Sequence, residues 1–182
     1  MSAIALAGPR AAARVGLWVF MGVVGTLFFL FSLAFLMRMA MDDWQGLPFV
    51  PWQLWLSTAL LAASGGAWER ARRAARPRAA CLLACACALG FLGAQLWAWS
   101  AMRALHVTVD GGPASSFFYL ITGLHGLHVA GGLVAGALVL AGRASIELCA
   151  RYWHFLLLLW LAMFALLFLV TPDLVQQVCS VF

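Results

Sequence analysis

The side chains with the widest chemical repertoire in this sequence are its histidines and cysteines, and most of them lie inside long apolar runs. His125 and His128 lie three residues apart in one run, His154 lies near the start of the next, and three cysteines fall within residues 81–87 of another. Imidazole nitrogens and thiolates are the common protein ligands of transition metals and haem iron. Haem or metal binding inside a membrane is therefore the first chemistry to consider.

The spacing of the histidines does not favour a haem site. Two axial ligands must lie at similar depth on facing helices, whereas His125 and His128 share one side of one helix. His128 is predicted about 14 residues, or roughly 20 Å, from the end of its apolar stretch, and His154 about three residues inside the same surface. The cysteines have no His or acid beside them in the run and are interpreted as packing residues. The sequence predicts no catalytic residue, haem, metal or other cofactor in this chain.

Carboxylates inside a bilayer usually mark the pathway of an ion pump or transporter, because burying a charge there is costly. All six acidic residues of this sequence instead fall in links or at the ends of apolar stretches: Asp42, Asp43, Glu69, Asp110, Glu147 and Asp173. A small membrane transporter is kept as an alternative that this distribution disfavours.

The elements that must hold these side chains are predicted from composition. The chain has 182 residues, 65% hydrophobic and only 9% charged, with a mean hydropathy of +0.99. These values are typical of an integral membrane protein, in which a spanning helix needs about 20 apolar residues. We predict a single all-α membrane domain covering residues 1–182. Its five transmembrane helices are expected at about 15–37, 49–68, 79–102, 114–142 and 152–172.

The arginines predict the orientation of these helices. The chain has eleven basic residues, all Arg, and nine of them flank the same predicted side. They are Arg10, Arg14, Arg70, Arg72, Arg73, Arg76, Arg78, Arg143 and Arg151. Because short basic links stay in the cytoplasm, the N-terminus is predicted to be cytoplasmic and the C-terminus external. Arginines 70–78 are also candidates for binding lipid head groups. No nucleic-acid partner is expected, because the basic residues border apolar spans.

The fourth predicted helix carries a small and polar face. Thr122, His125, His128, Gly132 and Gly136 fall within an arc of about 120° on a helical projection. Glycine lets helix backbones approach closely in lipid, and His or Thr can hydrogen-bond to a neighbouring helix. We therefore predict that this face packs against other helices or a partner subunit.

Two segments resemble a known family. Residues 117–129 (FFYLITGLHGLHV), followed by Gly132, closely resemble the fourth helix of the five-helix form of subunit III of haem-copper oxidases, the cytochrome c and quinol oxidases. Residues 152–155 (YWHF), followed by Trp160, resemble the last helix of that family. The resemblance extends in matching order over about residues 15–170. It adds Trp153 and His154 to the residues expected in helix packing or partner contact.

The resemblance implies a non-catalytic accessory subunit in the cytoplasmic membrane of a bacterium. Such a subunit would bind catalytic subunit I and subunit II, which carry the haems and copper, and would hold phospholipid. It would support assembly and turnover stability of a terminal oxidase in aerobic respiration. An accessory subunit of a nitric oxide reductase remains an alternative with the same fold.

The chain departs from the family pattern at three positions where relatives usually carry buried acids. Val24 stands in the first helix, Ala98 in the third, and Leu157 follows the YWHF segment in the fifth. The roles that such acids have in the family are therefore not carried over to this chain.

Overall fold

The computed structural model describes residues 9–41, 44–47 and 49–171, and these form five α-helices with no strand. The helices are α1 Pro9–Met39, α2 Trp52–Arg73, α3 Arg78–Ala104, α4 Pro113–Leu140 and α5 Ile146–Leu169. The prediction of an all-α chain with five helices is confirmed for this part of the molecule.

Four of the described helices are long and apolar enough to cross a membrane: α1 from Ala11 onward, α3, α4 and α5. The remaining helix, α2, has 22 residues and is about 33 Å long, which also suffices. It is less apolar because it contains Ser57, Ser64, the glycine pair at 65–66 and a charged last turn. The crossing of α2, and the side of the membrane on which each end lies, stay predictions.

Helix ends follow local chemistry. Proline lies directly before α2 and α3 and is the first residue of α4, where its missing N–H costs nothing. Ser145 precedes α5, and Glu147 stands in its first turn, where a negative charge suits the helix dipole. After α4, Gly142 adopts a left-handed conformation with φ of 72°, which ends the helix and turns the chain toward α5.

The helix ends differ from the predicted spans in both directions, since α1 and α3 extend past them at both ends, whereas α2 begins three residues later and α4 ends two residues earlier. The apolar stretch at 152–172 corresponds to a helix that begins six residues earlier, at Ile146, and the described helix ends at Leu169. Charged residues end an apolar stretch without ending a helix, since Glu147 and Arg151 pair within α5 at 2.6 Å. Pro172 and the residues after it lie outside the described part of the chain.

Helices α2, α3, α4 and α5 form a closed four-helix ring, because α2 packs on α3, α3 on α4, α4 on α5 and α5 on α2. Helix α1 packs outside this ring against α4 and α5. The core contains large side chains that are almost fully buried, among them Trp68, Trp153, Trp160, Phe28, Phe91 and Phe118. These rings fill the space between the helices, so the interior of the bundle is packed.

Candidate functional site

The predicted face of α4 points into the bundle over most of its length. Thr122, His125, Gly132 and Gly136 are buried, whereas His128 is half-buried where α4 meets α1. The face brings α4 into contact with α1, α3 and α5.

Gly132 and Gly136 allow bulky aromatic side chains to lie directly on the α4 backbone. A Cβ atom on Gly132 would lie 3.3 Å from Trp153 Cζ2. A Cβ atom on Gly136 would lie 3.0 Å from Cys85 Sγ and 3.2 Å from Trp68 Cζ2. The indoles of Trp68 and Trp153 stack with centroids 6.3 Å apart. Both glycines therefore serve helix packing at the end of the bundle where α4 finishes.

Hydrogen bonds between helices cross the same interior. Gln95 on α3 donates to Ser57 Oγ on α2 at 3.2 Å, and Ser64 Oγ on α2 donates to the carbonyl oxygen of Ala84 on α3 at 2.8 Å. Both Ser57 and Ser64 are fully buried. Helices α2 and α3 are thus joined by polar contacts at two levels of their interface, about two turns of α2 apart.

Two tryptophans complete this polar network. Trp160 on α5 donates to Thr58 Oγ1 on α2 at 2.8 Å, and Trp99 on α3 donates to Thr122 Oγ1 on α4 at 3.0 Å. The sequence contains these Thr and Trp residues, but it does not show which helices are neighbours. Sequence reasoning therefore missed the pairs, although polar residues in an apolar run were a signal that could have been followed.

His125 lies at the centre of the bundle and is completely buried. Its ring is 5.2 Å from the Trp160 ring and 5.6 Å from the Phe91 ring, centroid to centroid, and it meets Phe28 edge-on at 6.4 Å. Within the described residues, neither ring nitrogen has a hydrogen-bond partner. Three aromatic rings thus border the imidazole, and its buried nitrogens have no partner among the described residues.

His128 and His154 have the same local hydrogen bond and opposite surroundings. Each has Nδ1 2.7 Å from the carbonyl oxygen four residues earlier, Leu124 for His128 and Ala150 for His154. His128 packs against Phe28 of α1, at 5.6 Å between centroids. His154 lies on the exposed side of α5.

Helix α5 begins at Ile146, six residues before the predicted span, so His154 lies eight residues into the helix, about 12 Å along its axis. The depth of His154 in the membrane stays a prediction. The histidines still form no facing pair, since His154 points outward and His128 toward α1. Within the described residues no three His, Cys, Asp or Glu side chains form a cluster that could hold a metal ion. The absence of a cofactor stays a prediction.

The three positions that lack the family's acids are occupied by apolar residues in the structure. Val24 is 3% exposed and Ala98 is fully buried, and Leu157 is half-buried against Gly65 of α2. An acid at Val24 or Ala98 would be shielded from solvent, so these substitutions make the interior more apolar.

A cleft of about 990 Å³ opens between α1 and the ends of α4 and α5. Arg14 and Arg143 stand at its polar part, and Leu17, Phe20 and Gly131 line its apolar part. Neither arginine pairs with a carboxylate of the described residues. Glu147 also lines the cleft and is paired with Arg151 at 2.6 Å. The cleft thus combines an excess of positive charge with an apolar wall at the arginine-rich end of the bundle.

The arginines predicted to bind head groups lie at the same end of the molecule and are exposed: Arg70, Arg72, Arg73, Arg76 and Arg78. Two of them are engaged by Glu69, with N–O distances of 2.8 Å to Arg72 and 2.6 Å to Arg73. Hydrogen bonds from Arg72 and then Arg73 lower the pKa of Glu69 to about 2. This pairing offsets part of the positive charge of the link.

These features define a polytopic α-helical membrane protein with a packed interior. The chain is similar to several proteins named probable cytochrome c oxidase subunit 3. It is 38% identical over 74 residues to the protein of Mycobacterium leprae, which covers 35% of this chain and 36% of that relative. The Mycobacterium tuberculosis protein is 31% identical over 93 residues, which cover 45% of this chain and 45% of that relative. The Nocardia farcinica protein is 33% identical over 73 residues, which cover 35% of this chain and 36% of that relative.

These relatives confirm the resemblance to oxidase subunit III that the sequence motifs indicated. The chain matches between about a third and just under half of the length of each of these curated relatives. No family model matches the chain.

Proposed function

We propose that this chain is a non-catalytic accessory subunit of a bacterial haem-copper terminal oxidase, located in the cytoplasmic membrane. The observation that carries the proposal is its similarity to several proteins named probable cytochrome c oxidase subunit 3. In the proposed complex, electron transfer and oxygen reduction take place on haems and copper held by subunits I and II. This chain contributes assembly, lipid binding and stability during turnover.

The interior of the bundle supports an accessory role. Its centre is filled by His125, Trp160 and Phe91, and Val24 and Ala98 stand where an acid would be enclosed. Proton or ion transport needs ionisable groups within the membrane. The buried side chains of the described spans include no Asp, Glu, Lys or Arg, and the polar ones are hydroxyl, amide and imidazole groups. This interior suits a chain that stabilises a neighbouring subunit.

Purification from the native membrane tests the proposal. A tagged chain extracted in mild detergent should bring down a coloured complex that contains haem and copper and consumes oxygen. An untagged strain treated in the same way controls for adventitious binding. A partner that reduces nitric oxide and not oxygen would identify the chain as an accessory subunit of a nitric oxide reductase. Recovery of the chain without any haem-containing partner would overturn the proposal.

Lipid binding by this subunit is best supported at the cleft between α1 and the ends of α4 and α5. Arg14 and Arg143 suit an anionic head group, and Leu17 and Phe20 suit an acyl chain. Among the arginines at 70–78, Arg72 and Arg73 already form ion pairs with Glu69, so this link is the weaker candidate for binding a head group.

The two lipid sites can be separated by substitution. Arg14→Gln with Arg143→Gln should reduce the anionic phospholipid that co-purifies with the complex. Arg76→Gln with Arg78→Gln should leave it unchanged, as measured by mass spectrometry of extracted lipid. If only the Arg76 and Arg78 variant loses anionic phospholipid, the lipid site lies at the arginines of residues 70–78 and not at the cleft.

A further inference from the structure

Two polar side chains inside the bundle have buried atoms without a hydrogen-bond partner among the described residues. On α4 both ring nitrogens of His125 lack one, and on α3 the amide oxygen Oε1 of Gln95 lacks one. His125 is completely buried, and Gln95 is 5% exposed. Phe91, one turn before Gln95 on the buried side of α3, meets the imidazole ring at 5.6 Å between centroids. The unsatisfied groups thus lie on two helices that pack against each other.

The hydrogen bond of Gln95 to Ser57 defines which amide atom is unsatisfied. Gln95 Nε2 lies 3.2 Å from Ser57 Oγ, and that hydroxyl donates its own proton to the carbonyl oxygen of Leu54 at 2.8 Å. Turning the amide over would place Oε1 against a hydroxyl whose proton is already engaged. Oε1 is therefore the atom that needs a partner, and that partner must be a donor.

The donor groups on the neighbouring turns are already engaged. The indole N–H of Trp160, whose ring is 5.2 Å from that of His125, donates to Thr58 Oγ1 at 2.8 Å. The Thr58 hydroxyl donates to a carbonyl oxygen of its own helix. Thr122, one turn before His125, donates to the carbonyl oxygen of Phe118 at 2.6 Å. None of these groups has a proton left for the imidazole or the amide oxygen.

A neutral imidazole has one N–H donor and one bare nitrogen that can only accept. Even a direct bond from the N–H of His125 to Oε1 of Gln95 would leave the bare nitrogen without a donor. The buried side chains include no Asp, Glu, Lys or Arg, so a charged ligand here would have no counter-charge. The missing partner is therefore a small neutral molecule that donates hydrogen bonds, and water has this chemistry.

We propose that the bundle binds an internal water molecule between His125 and Gln95. The water donates one hydrogen bond to the bare ring nitrogen of His125 and the other to Oε1 of Gln95. Buried waters typically satisfy polar groups that the protein itself leaves unpaired. The contact joins α4 to α3 and, through Gln95 and Ser57, extends to α2. The site rests on the interior of the bundle and does not depend on the proposed function.

Solid-state NMR of the tagged chain in native membrane vesicles tests the site. With isotope-labelled histidine, the His125 signals are those that disappear in a His125→Phe variant. If that variant does not accumulate, substitution of His106, His128 and His154 assigns His125 by elimination. Magnetisation prepared on water protons should reach the bare ring nitrogen of His125 in the native chain. The transfer should be lost in Gln95→Leu, which removes one of the two groups that hold the water.

Two NMR results would overturn the water site. One is a bare nitrogen of His125 that receives no magnetisation from water in the native chain. The other is a bare nitrogen that is bonded directly to a side-chain proton. Transfer that persists unchanged in Gln95→Leu would place water at His125 without the bridge, and the proposed contact between α3 and α4 would fail.

A double-mutant cycle tests the bridge by stability. His125→Phe and Gln95→Leu should each lower the temperature at which half of the tagged chain, purified with the partners it retains, aggregates. Each single change leaves the other polar group buried and unpaired. The double variant should therefore lower this temperature by less than the sum of the two shifts. Additive shifts would overturn the bridge.

Ser64→Ala provides the matched control for the cycle. Its hydroxyl is also fully buried, but it donates to the carbonyl oxygen of Ala84, two turns before Phe91 along α3. The shifts of Ser64→Ala and His125→Phe should add. If Ser64 couples to His125 as strongly as Gln95 does, the coupling reflects a general loosening of the bundle and counts against a local water.

Discussion

At the scale of single residues, Gly136 shows how closely the helices approach. The hydrogen atom at its Cα faces Cys85 of α3 and Trp68 of α2, so three helices meet at one backbone position. Gly131 lies five residues earlier on the same helix and has open space where a Cβ would stand. The same substitution at these two sites thus separates packing from helix propensity.

Gly136→Ala should lower the free energy of unfolding by about 1–3 kcal/mol, because the added methyl group forces Cys85 and Trp68 to move. Gly131→Ala should be neutral or slightly stabilising, since Ala favours the helix over Gly. Thermal unfolding in detergent measures both. Equal melting temperatures for the two variants would show that the close contact at Gly136 is not maintained.

The missing acids predict how the chain reacts with apolar carbodiimides, which modify protonated carboxyl groups within a membrane. Val24 is buried and carries no acid. Glu69, just beyond the apolar part of α2, has its pKa lowered from 4.5 to about 2 and is ionised at neutral pH. Dicyclohexylcarbodiimide should therefore not label the described spans. A Val24→Glu variant should gain labelling, because burial keeps a carboxyl group protonated.

Peptide mass spectrometry of the treated chain tests the carbodiimide prediction. The ionisation of Glu69 at neutral pH provides an internal control. A depressed pKa means that the ion pair of Glu69 is intact above the usual carboxyl range and is lost only as the pH falls through about 2. Its effect on stability is small because the group is exposed to solvent. Labelling of Glu69 at neutral pH would contradict the ion pairing with Arg72 and Arg73.

At the scale of helices, the sequence predicted the number and type of elements because each apolar stretch is long enough to cross a bilayer. The apolar stretch that predicted the fifth span begins only after Arg151, whereas α5 begins at Ile146, because Glu147 and Arg151 form an ion pair within the helix. Helical periodicity also indicated the buried face with Thr122, His125, Gly132 and Gly136.

The outward direction of His154 could not be predicted in this way. It depends on which sides of α5 are covered by α1, α2 and α4, and one sequence does not specify that arrangement. The bond between Trp160 and Thr58 joins residues 102 positions apart for the same reason. Contacts between helices could therefore be identified only from the structure and not from the sequence.

The arginines at one end of the helices predict which end faces the cytoplasm. Arg14 and Arg143 line one cleft, and Arg72 and Glu147 line a second hollow at the same end of the bundle. A reporter inserted after Ala74 should be active only in the cytoplasm, and one fused after Phe182 only outside it. The opposite pattern at either position would contradict the five-span topology.

At the scale of the whole molecule, the closed ring of α2 to α5 with α1 packed outside it gives the chain a core independent of its partners. Removing such a subunit should leave the metal centres of an oxidase in place. We expect the stripped enzyme to start at the normal rate and to inactivate sooner during turnover. Oxygen uptake followed over many turnovers measures this, and adding the subunit back should restore the lifetime.

Two results of that experiment would change the assigned role. An unchanged lifetime would mean that the chain acts in assembly alone. An enzyme that is inactive from the first turnover would mean that the subunit takes part in the chemistry.

The pairing of α2 with α3 also has a consequence for biogenesis. Helix α2 is the least apolar of the five, and its buried Ser57 and Ser64 bond to Gln95 and to the carbonyl oxygen of Ala84 on α3. Only residues 74–77 separate the two helices. Ser57 also donates within α2, to the carbonyl oxygen of Leu54, but a nascent α2 that reaches lipid alone would lack the partner of Ser64, which entry together with α3 supplies. The insertion machinery would therefore release these helices into the bilayer as one hairpin, after both have been synthesised.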